Sequence, residues 1–220
     1  MAVTPRRLFV AGSSGATGQV LVPLALRQGL DVVPHLRPAR AAEGKVPPNA
    51  AVVDLAETKA LAVAMKGCTT VVQLIGTMRN RFAKGDTYES SDIGTTAQLI
   101  AAAKDAGVDH LVVLTSVGAG RPMGAYLQAK AKVEALTRES GIAWTVFRPS
   151  ALVGGERKKI PLVKGLTHAL GLTSYEPISL EELSAAMLQC AVDHAPLNVA
   201  LQGDALWELV AKGRQRFLKA

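Results

Sequence analysis

Three glycines at intervals of three residues constrain the fold of this chain more than any other feature. The segment that holds them reads Gly12-Ser13-Ser14-Gly15-Ala16-Thr17-Gly18. It follows an apolar run at residues 7–10 that predicts a strand, and it opens a predicted helix that ends near residue 28. A glycine-rich turn is therefore expected between the first strand and the first helix.

A turn of this kind suits a diphosphate. The first glycine permits the tight bend, the second lets the backbone approach the phosphates, and the third lets helix and strand pack closely. The N–H groups at the start of the helix then attract the anion. The segment predicts a dinucleotide-binding turn, and the alternative is a turn with a structural role only.

Short β-branched runs alternate with Ala- and Leu-rich segments as far as about residue 149. The predicted strands are residues 7–10, 31–36, 51–54, 71–76, 111–116 and 144–148. Helical segments between them predict right-handed βαβ units and a parallel sheet. We expect an α/β fold, a doubly wound Rossmann sheet with strand order 3-2-1-4-5-6.

The alternation of strand-like and helix-like segments becomes less regular after residue 150. Ser179 and Glu182 have the spacing of a capping box, which predicts a helix to about residue 192, and a last amphipathic helix is expected at 204–218. We interpret residues 1–220 as one NAD(P)-binding domain in which residues 150–220 form a small lobe on the substrate side.

Composition argues against several classes of function. The net charge is +7, but the basic residues are scattered and aromatic residues make up only 4%, which disfavours nucleic-acid binding. No apolar run approaches the ~18 residues of a membrane span. The two cysteines are far apart, and the four histidines show no metal-ligand spacing, so no metal site is expected. We expect a cytoplasmic monomer or homodimer that binds a small-molecule substrate.

The end of the second strand predicts which nicotinamide cofactor binds. A carboxylate that would bond the ribose 2′-hydroxyl of NAD is missing there, and Arg37 and Arg40 follow instead. Arginine forms forked hydrogen bonds with a 2′-phosphate. The pattern favours NADP (NADPH), makes NAD less expected, and leaves open that either arginine is simply an exposed loop charge.

Residues at the ends of the other strands complete the predicted cofactor site. Asp54 is placed to bond the adenine amino group and Leu55 to pack against the ring, although Asp54 could instead cap the segment that follows. Gly76 would let the backbone approach a ribose. The remaining predicted cofactor contacts at strand ends are Ile75, Thr77, Thr115 and Pro149.

Tyr126 and Lys130 form a Y-x-x-x-K pattern on a predicted helix. Residues i and i+4 share one helix face, so the ammonium can favour the phenolate and also hold the nicotinamide ribose. Ser116, at the end of the fifth strand, could bond a substrate carbonyl beside Tyr126. The three residues are the candidate catalytic set, and the alternative is an ordinary helical Tyr–Lys pair.

These motifs resemble the atypical short-chain dehydrogenase/reductases of the NAD(P)H-binding, NmrA-like group. The resemblance rests on residues 12–18, 71–77 (VVQLIGT), 111–119 (LVVLTSVGA), 126–130 (YLQAK) and 147–150 (FRPS). Within the group the chain is similar to Tat-interacting oxidoreductase-like proteins and to biliverdin-IXβ/flavin reductases. The resemblance implies a Rossmann sheet, a nicotinamide cofactor, and a catalytic role for Ser116, Tyr126 and Lys130.

Departures from the group keep two functions open. The glycine spacing is not the G-x-x-x-G-x-G of typical short-chain members, and the chain is short for a nucleotide-sugar epimerase. Some relatives keep the cofactor site but act as redox sensors or assembly subunits. The expected function is an NADPH-dependent oxidoreductase that reduces a carbonyl or similar acceptor, and the alternative is a non-catalytic NADP(H)-binding sensor or assembly factor.

Overall fold

The computed structural model describes residues 6–44, 46–76, 88–154 and 172–218, with the backbone alone at Ser90. Within these ranges the strands are β1 (Arg7–Ala11), β2 (Asp31–Leu36), β3 (Ala51–Val52), β4 (Thr70–Gln73), β5 (His110–Leu114), β6 (Ala143–Phe147), β7 (Leu152–Val153), β8 (Ile178–Ser179) and β9 (Val199–Leu201). The α-helices are α1 (Gly18–Arg27), α2 (Pro38–Ala42), α3 (Thr58–Ala64), α4 (Thr95–Asp105), α5 (Gly124–Arg138), α6 (Leu180–Asp193) and α7 (Gly203–Gly213). Two π-helical segments, Glu89–Gly94 and Arg214–Leu218, adjoin α4 and α7.

Seven of these strands form one parallel sheet in the order β3-β2-β1-β4-β5-β6-β9, and β7 pairs separately with β8. The predicted α/β Rossmann fold and its strand order 3-2-1-4-5-6 are confirmed. The structure adds β9, which sequence analysis did not predict, beside β6. The order reverses between β1 and β4, which start the two halves of the sheet.

Apolar residues fill both faces of the sheet. In β1, Leu8 and Val10 face the cluster that includes α1 and α6, whereas Phe9 and Ala11 face the cluster that includes α3 and α4. All four side chains are fully buried. Continuous apolar strands of this kind are expected where helices cover both faces of a parallel sheet.

Helix α6 ties the C-terminal segment to the sheet. Ser179 Oγ accepts a hydrogen bond from Glu182 N at 3.1 Å, and Glu182 Oε2 accepts one from Ser179 N at 3.1 Å, so the predicted capping box is confirmed. Most of α6 is buried among α1, α7 and the sheet. Among the described helices, none is long and apolar enough to cross a bilayer.

Candidate cofactor-binding and catalytic site

The glycine turn folds tightly against the start of α1. Gly12 has φ +87°, and a Cβ on Gly18 would lie 2.6 Å from the carbonyl carbon of Ser13, so no side chain fits there. Ser13 Oγ donates to the carbonyl oxygen of His35 at 2.6 Å, which fixes the turn to β2. The turn has the close backbone approach expected of a diphosphate cradle.

The outer surface of this turn is open to solvent. Gly15 and Ala16 are exposed and Ser14 is partly exposed, whereas Thr17 is buried as the N-cap of α1. The first turn of α1 carries no acidic side chain, and Thr17 makes no side-chain capping hydrogen bond. The positive end of the helix dipole is therefore not offset locally, which suits an anion.

The two arginines after β2 differ in their surroundings. Arg40 Nη1 lies 2.7 Å from Glu43 Oε2, so its charge is paired. Arg37 is the exposed N-cap of α2, and its side chain forms no hydrogen bond or ion pair with any other described residue. Arg37 is consequently the better placed of the two to meet a phosphate from outside the chain.

The two predicted adenine contacts, Asp54 and Leu55, differ in their exposure to solvent. Asp54 is exposed, and its Oδ1 accepts a hydrogen bond from Ala56 N at 2.9 Å, which is the local capping alternative considered from sequence. Leu55 is only 7% exposed and packs in the core beneath β1–β3. Contact of either residue with adenine stays a prediction.

The end of β4 meets the glycine turn where the strand order reverses. A Cβ on Gly12 would lie 3.1 Å from Ile75 N, so these two backbone segments touch. Gly76 is exposed, and a Cβ there would lie 2.9 Å from Lys130 Nζ. Thr77 lies outside the described residues. The structure thus brings the turn, Ile75, Gly76 and Lys130 to one end of the sheet.

Lys130 has a partner that sequence reasoning missed. Its Nζ lies 2.7 Å from Asp92 Oδ2, and the two side chains are 4% and 0% exposed. Asp92 comes from the π-helical segment Glu89–Gly94. The sequence offered no signal for this pair, because Asp92 belongs to no motif and is 38 residues from Lys130.

Hydrogen bonds fix the backbone that carries Asp92. Thr96 Oγ1 donates to the Asp92 carbonyl oxygen at 2.6 Å, and Gln73 Nε2 donates to Thr96 Oγ1 at 2.6 Å. The chain of contacts runs from the end of β4 to α4 and then to the ammonium of Lys130. π-Helical turns are rare and frequently occur at functional sites, and this one places a carboxylate beside a predicted catalytic lysine.

Tyr126 lies near Lys130 at the open end of the site. The Lys130 Nζ is 5.8 Å from the centre of the Tyr126 ring, within the range of a cation–π contact. The Tyr126 residue is 37% exposed, and its ring centre lies 5.9 Å from that of Tyr88. The phenol is therefore accessible to a ligand while the ammonium beneath it is buried.

The segment with Thr115 and Ser116 continues beyond β5 along β6. Thr115 N donates to the Phe147 carbonyl oxygen at 2.8 Å, and Val117 N donates to the Pro149 carbonyl oxygen at 2.9 Å. Ser116 is partly exposed, and its hydroxyl forms no hydrogen bond with any described residue, so it is available to a ligand. Pro149 is buried and contributes its carbonyl oxygen to this pairing.

A second buried carboxylate lies one helical turn beyond Lys130. Glu134 is 1% exposed and pairs with Arg148 and Arg138, with Oε2–Nη2 distances of 2.5 Å and 2.6 Å. Burial opposes ionisation of Glu134, but the hydrogen bonds and charge of Arg148, with help from Thr115 and Arg138, hold its pKa below the usual value. The carboxylate is therefore kept charged inside the protein.

The NAD(P)H-binding family matches residues 12–194 of this chain. The chain belongs to this NAD(P)H-binding family. Divinyl chlorophyllide a 8-vinyl-reductase, a chloroplastic protein of Oryza sativa subsp. indica, is 24% identical over 100% of this chain and 62% of its own length. The chain spans less than two thirds of that relative. Protein HTATIP2 of Rattus norvegicus is 29% identical over 71% of this chain and 66% of its own length.

The fold of this NAD(P)H-binding chain recurs in solved structures. A short-chain dehydrogenase/reductase superfamily protein from Agrobacterium tumefaciens, solved with bound NAD, superposes with a TM-score of 0.68 at 18% identity. The match covers 94% of this chain and 81% of that protein. The resemblance to NmrA-like short-chain dehydrogenase/reductases that the motifs indicated is confirmed.

Proposed function

We propose that this protein is an NADPH-dependent oxidoreductase that reduces a carbonyl or a comparable small-molecule acceptor. The observation that carries the proposal is the position of Lys130, whose buried ammonium lies against Gly76 and below the Tyr126 ring. The proposal is supported by membership of the NAD(P)H-binding family and by a reductase among its relatives.

The residues of the site fit a nicotinamide dinucleotide. The cradle at Gly12, Gly15 and Gly18, where a side chain at Gly18 would collide with backbone, suits the diphosphate. Arg37 would bind the 2′-phosphate of NADPH, and Asp54 with Leu55 would border the adenine. Lys130, beside Gly76, would hold the nicotinamide ribose at the other end of the site.

The chemistry divides between the cofactor and the chain. Bound NADPH supplies the hydride for the acceptor carbon. Tyr126 donates its phenolic proton to the acceptor oxygen, Ser116 donates a hydrogen bond that orients this oxygen, and Lys130 favours the phenolate that remains. A proton from solvent restores Tyr126, so each reduction consumes one hydride and one proton.

The substrate side would be formed by the C-terminal lobe predicted for residues 150–220, of which 155–171 and 219–220 lie outside the described residues. Tyr88, whose ring lies beside that of Tyr126, would border the acceptor. The exposed phenol of Tyr126 and the available hydroxyl of Ser116 are the polar groups that an acceptor oxygen would meet.

A non-catalytic NADP(H)-binding sensor or assembly factor is the second candidate. It is favoured by the Asp92 carboxylate, which lies 2.7 Å from Lys130 Nζ and offsets the positive charge that would otherwise favour the Tyr126 phenolate. Such a protein would bind the cofactor as proposed but would not transfer a hydride to an acceptor.

Oxidation of NADPH over a panel of carbonyls, quinones, flavins and tetrapyrroles tests the proposal. The oxidoreductase should consume NADPH with at least one acceptor class and bind NADPH more tightly than NADH. NADPH binding with no turnover over the whole panel would support the sensor. Absence of binding to either nucleotide would overturn both candidates.

A further inference from the structure

We propose that Glu134 and Arg148 act as a positioning pair that sets Ser116 relative to Tyr126 and Lys130. The proposal rests on the proposed function, since it concerns the same site. Neither residue belongs to the candidate cofactor-binding or catalytic set, and both act through the elements that carry the candidate catalytic groups.

The Glu134 carboxylate receives hydrogen bonds at both oxygens. Oε1 accepts from Thr115 Oγ1 at 2.9 Å and from Arg148 Nε at 2.8 Å. Oε2 accepts from Arg148 Nη2 at 2.5 Å and from Arg138 Nη2 at 2.6 Å. The Arg148 guanidinium therefore donates two parallel hydrogen bonds to the carboxylate, which fix the orientation of the two groups as well as the distance between them.

The chain positions of these groups relate them to the site. Thr115 directly precedes Ser116, and Arg148 directly precedes Pro149. Glu134 lies four residues beyond Lys130 on α5, and residues four apart lie on the same face of a helix. One buried carboxylate thus joins α5, which carries Tyr126 and Lys130, to the carboxyl ends of β5 and β6, where the segment with Ser116 begins.

Arg148 is itself held on two sides. Its backbone N donates to the Leu201 carbonyl oxygen in β9 at 2.9 Å. On the other side, a Cβ on Gly120 would lie 2.9 Å from Arg148 Nη1, so the loop that follows Ser116 packs directly on the guanidinium. The position of this loop consequently depends on the position of the arginine.

A buried carboxylate such as that of Glu134 destabilises the fold unless it is fully paired. Its hydrogen bonds then favour one arrangement of the elements that it joins. Misplacement of a reacting group by about 1 Å can cost ~10²-fold in rate. Loss of the Glu134 charge should therefore loosen the Ser116 loop against α5 and reduce turnover more than cofactor binding. A purely structural pair would change stability and leave the rate of the folded protein unaltered.

The test uses three variants of the full chain and two matched controls. Glu134→Gln removes the charge, and Arg148→Lys removes the fork but keeps the charge. Thr115→Val removes, with little change of shape, the hydroxyl that lies 2.9 Å from Glu134 Oε1 and 3.3 Å from the Phe147 carbonyl oxygen. Glu182→Gln and Arg214→Lys are the controls, because they alter another Glu–Arg pair, 3.2 Å apart, on α6 and the segment after α7. Glutamine at position 182 still serves a capping box.

Hydrogen exchange is measured first, on the NADPH-loaded protein, because it needs no turnover. We expect the amides at positions 115, 117 and 119 to exchange at least ~10-fold faster in all three variants, with the controls unchanged. Unaltered exchange of this loop in Thr115→Val and Arg148→Lys, the two variants that keep the Glu134 carboxylate, would overturn the proposal.

Turnover with the acceptor found in the panel is the second measurement. The three variants should lower kcat by roughly 10–10²-fold, and the Kd for NADPH should stay within about threefold in Glu134→Gln and Arg148→Lys, which lie outside the predicted cofactor contacts. Faster exchange of the loop with unchanged kcat would overturn the positioning role. If the unmodified protein reduces no acceptor, the oxidoreductase proposal fails, and the exchange result alone decides whether the pair holds the Ser116 loop.

Discussion

Lys130 and Asp92 form a buried ion pair, with 2.7 Å between Nζ and Oδ2 and side chains that are 4% and 0% exposed. The same ammonium lies against the backbone of Gly76. The Lys130 ammonium is therefore fixed by the Asp92 carboxylate and by the Gly76 backbone, at the place where the two halves of the sheet meet. The position that the motif predicted for Lys130 depends on a residue that the motif does not contain.

Replacement of Asp92 should destabilise the fold strongly. Removing one partner of a buried ion pair costs about 3–5 kcal/mol, because the other charge stays buried and unpaired. We expect Asp92→Ala to approach this loss in the free energy of unfolding, measured with urea, and Asp92→Asn to lose less because the amide oxygen still accepts a hydrogen bond.

The neighbouring pair supplies a matched control. Glu89 Oε2 lies 3.4 Å from Lys132 Nζ, and these side chains are 73% and 63% exposed. Glu89→Gln should cost less than about 1 kcal/mol, as for other exposed pairs. An equal cost for Asp92→Asn and Glu89→Gln would show that the buried pair contributes no special stability.

Arg37 should account for the preference of the protein for NADPH over NADH. Charge-assisted hydrogen bonds contribute about 1.5–3 kcal/mol, so Arg37→Ala should weaken NADPH binding roughly 10–100-fold and leave NADH binding nearly unchanged. Arg40→Ala should have a smaller effect, since Glu43 already pairs with Arg40. Calorimetric titration of both nucleotides checks this, and equal affinities of the unmodified protein would refute the assignment.

Two glycines of the turn should respond differently to substitution. A Cβ on Gly15 would lie 3.3 Å from the Gly12 carbonyl oxygen, so Gly15→Val should fold and yet fill the space of the diphosphate. Gly18→Ala should lower stability by about 1–3 kcal/mol, because its Cβ would overlap backbone. Thermal unfolding and NADPH titration separate the effects, and normal NADPH binding by Gly15→Val would place the diphosphate elsewhere.

Tyr126→Phe should separate chemistry from binding. The change removes one hydroxyl, so NADPH affinity should stay near normal while turnover falls by about 10²–10⁴-fold, the usual contribution of a positioned acid. Tyr175→Phe is the control, because Tyr175 is 62% exposed and its hydroxyl has no assigned role. Full turnover by Tyr126→Phe would reject the assigned acid.

Acidification should destabilise the protein through His110. This residue is fully buried, and burial, followed by the charges of His194 and Arg6, lowers its pKa from 6.5 to about 3. Between these values the unfolded chain binds a proton that the folded protein does not, so stability decreases as pH falls below about 6.5. Burial also lowers the pKa of His35, which adds to the same trend.

Urea unfolding between pH 7.5 and 5 measures this linkage. The slope should reach about 1.4 kcal/mol per pH unit for His110, and the lowered pKa of His35 should add to it. His110→Gln should reduce the dependence of the unfolding free energy on pH, and the contribution of His35 should remain. Stability that is independent of pH in this range would contradict neutral burial of both rings.

Local patterns were sufficient to predict the sheet order, the glycine turn and the shared helix face of Tyr126 and Lys130. The turn and the helix face depend on residues close together in sequence, and the sheet order is that of the doubly wound fold that the succession of strands and helices predicts. The predicted ends of several strands differ from the observed ones by a few residues, as for the strand expected at 51–54, which is Ala51–Val52 in the structure.

Features that depend on distant partners escaped prediction. Strand β9 has only three residues, too few for a visible alternation, and its place is set by pairing with β6. Helix α2 was not among the predicted elements, although Pro38 is well suited to the first helical position. Asp92 reaches Lys130 only because a π-helical turn directs it there.

Strand β9 also affects how the chain is made on the ribosome. β6 must remain an open edge until Val199–Leu201 is synthesised and pairs with Thr145–Phe147. At ~5–20 residues per second, synthesis of the intervening fifty or so residues takes roughly 3–10 s. During that time the unpaired backbone of an apolar strand can pair with another nascent chain. Slow translation between β6 and β9 should therefore lower the yield of folded protein.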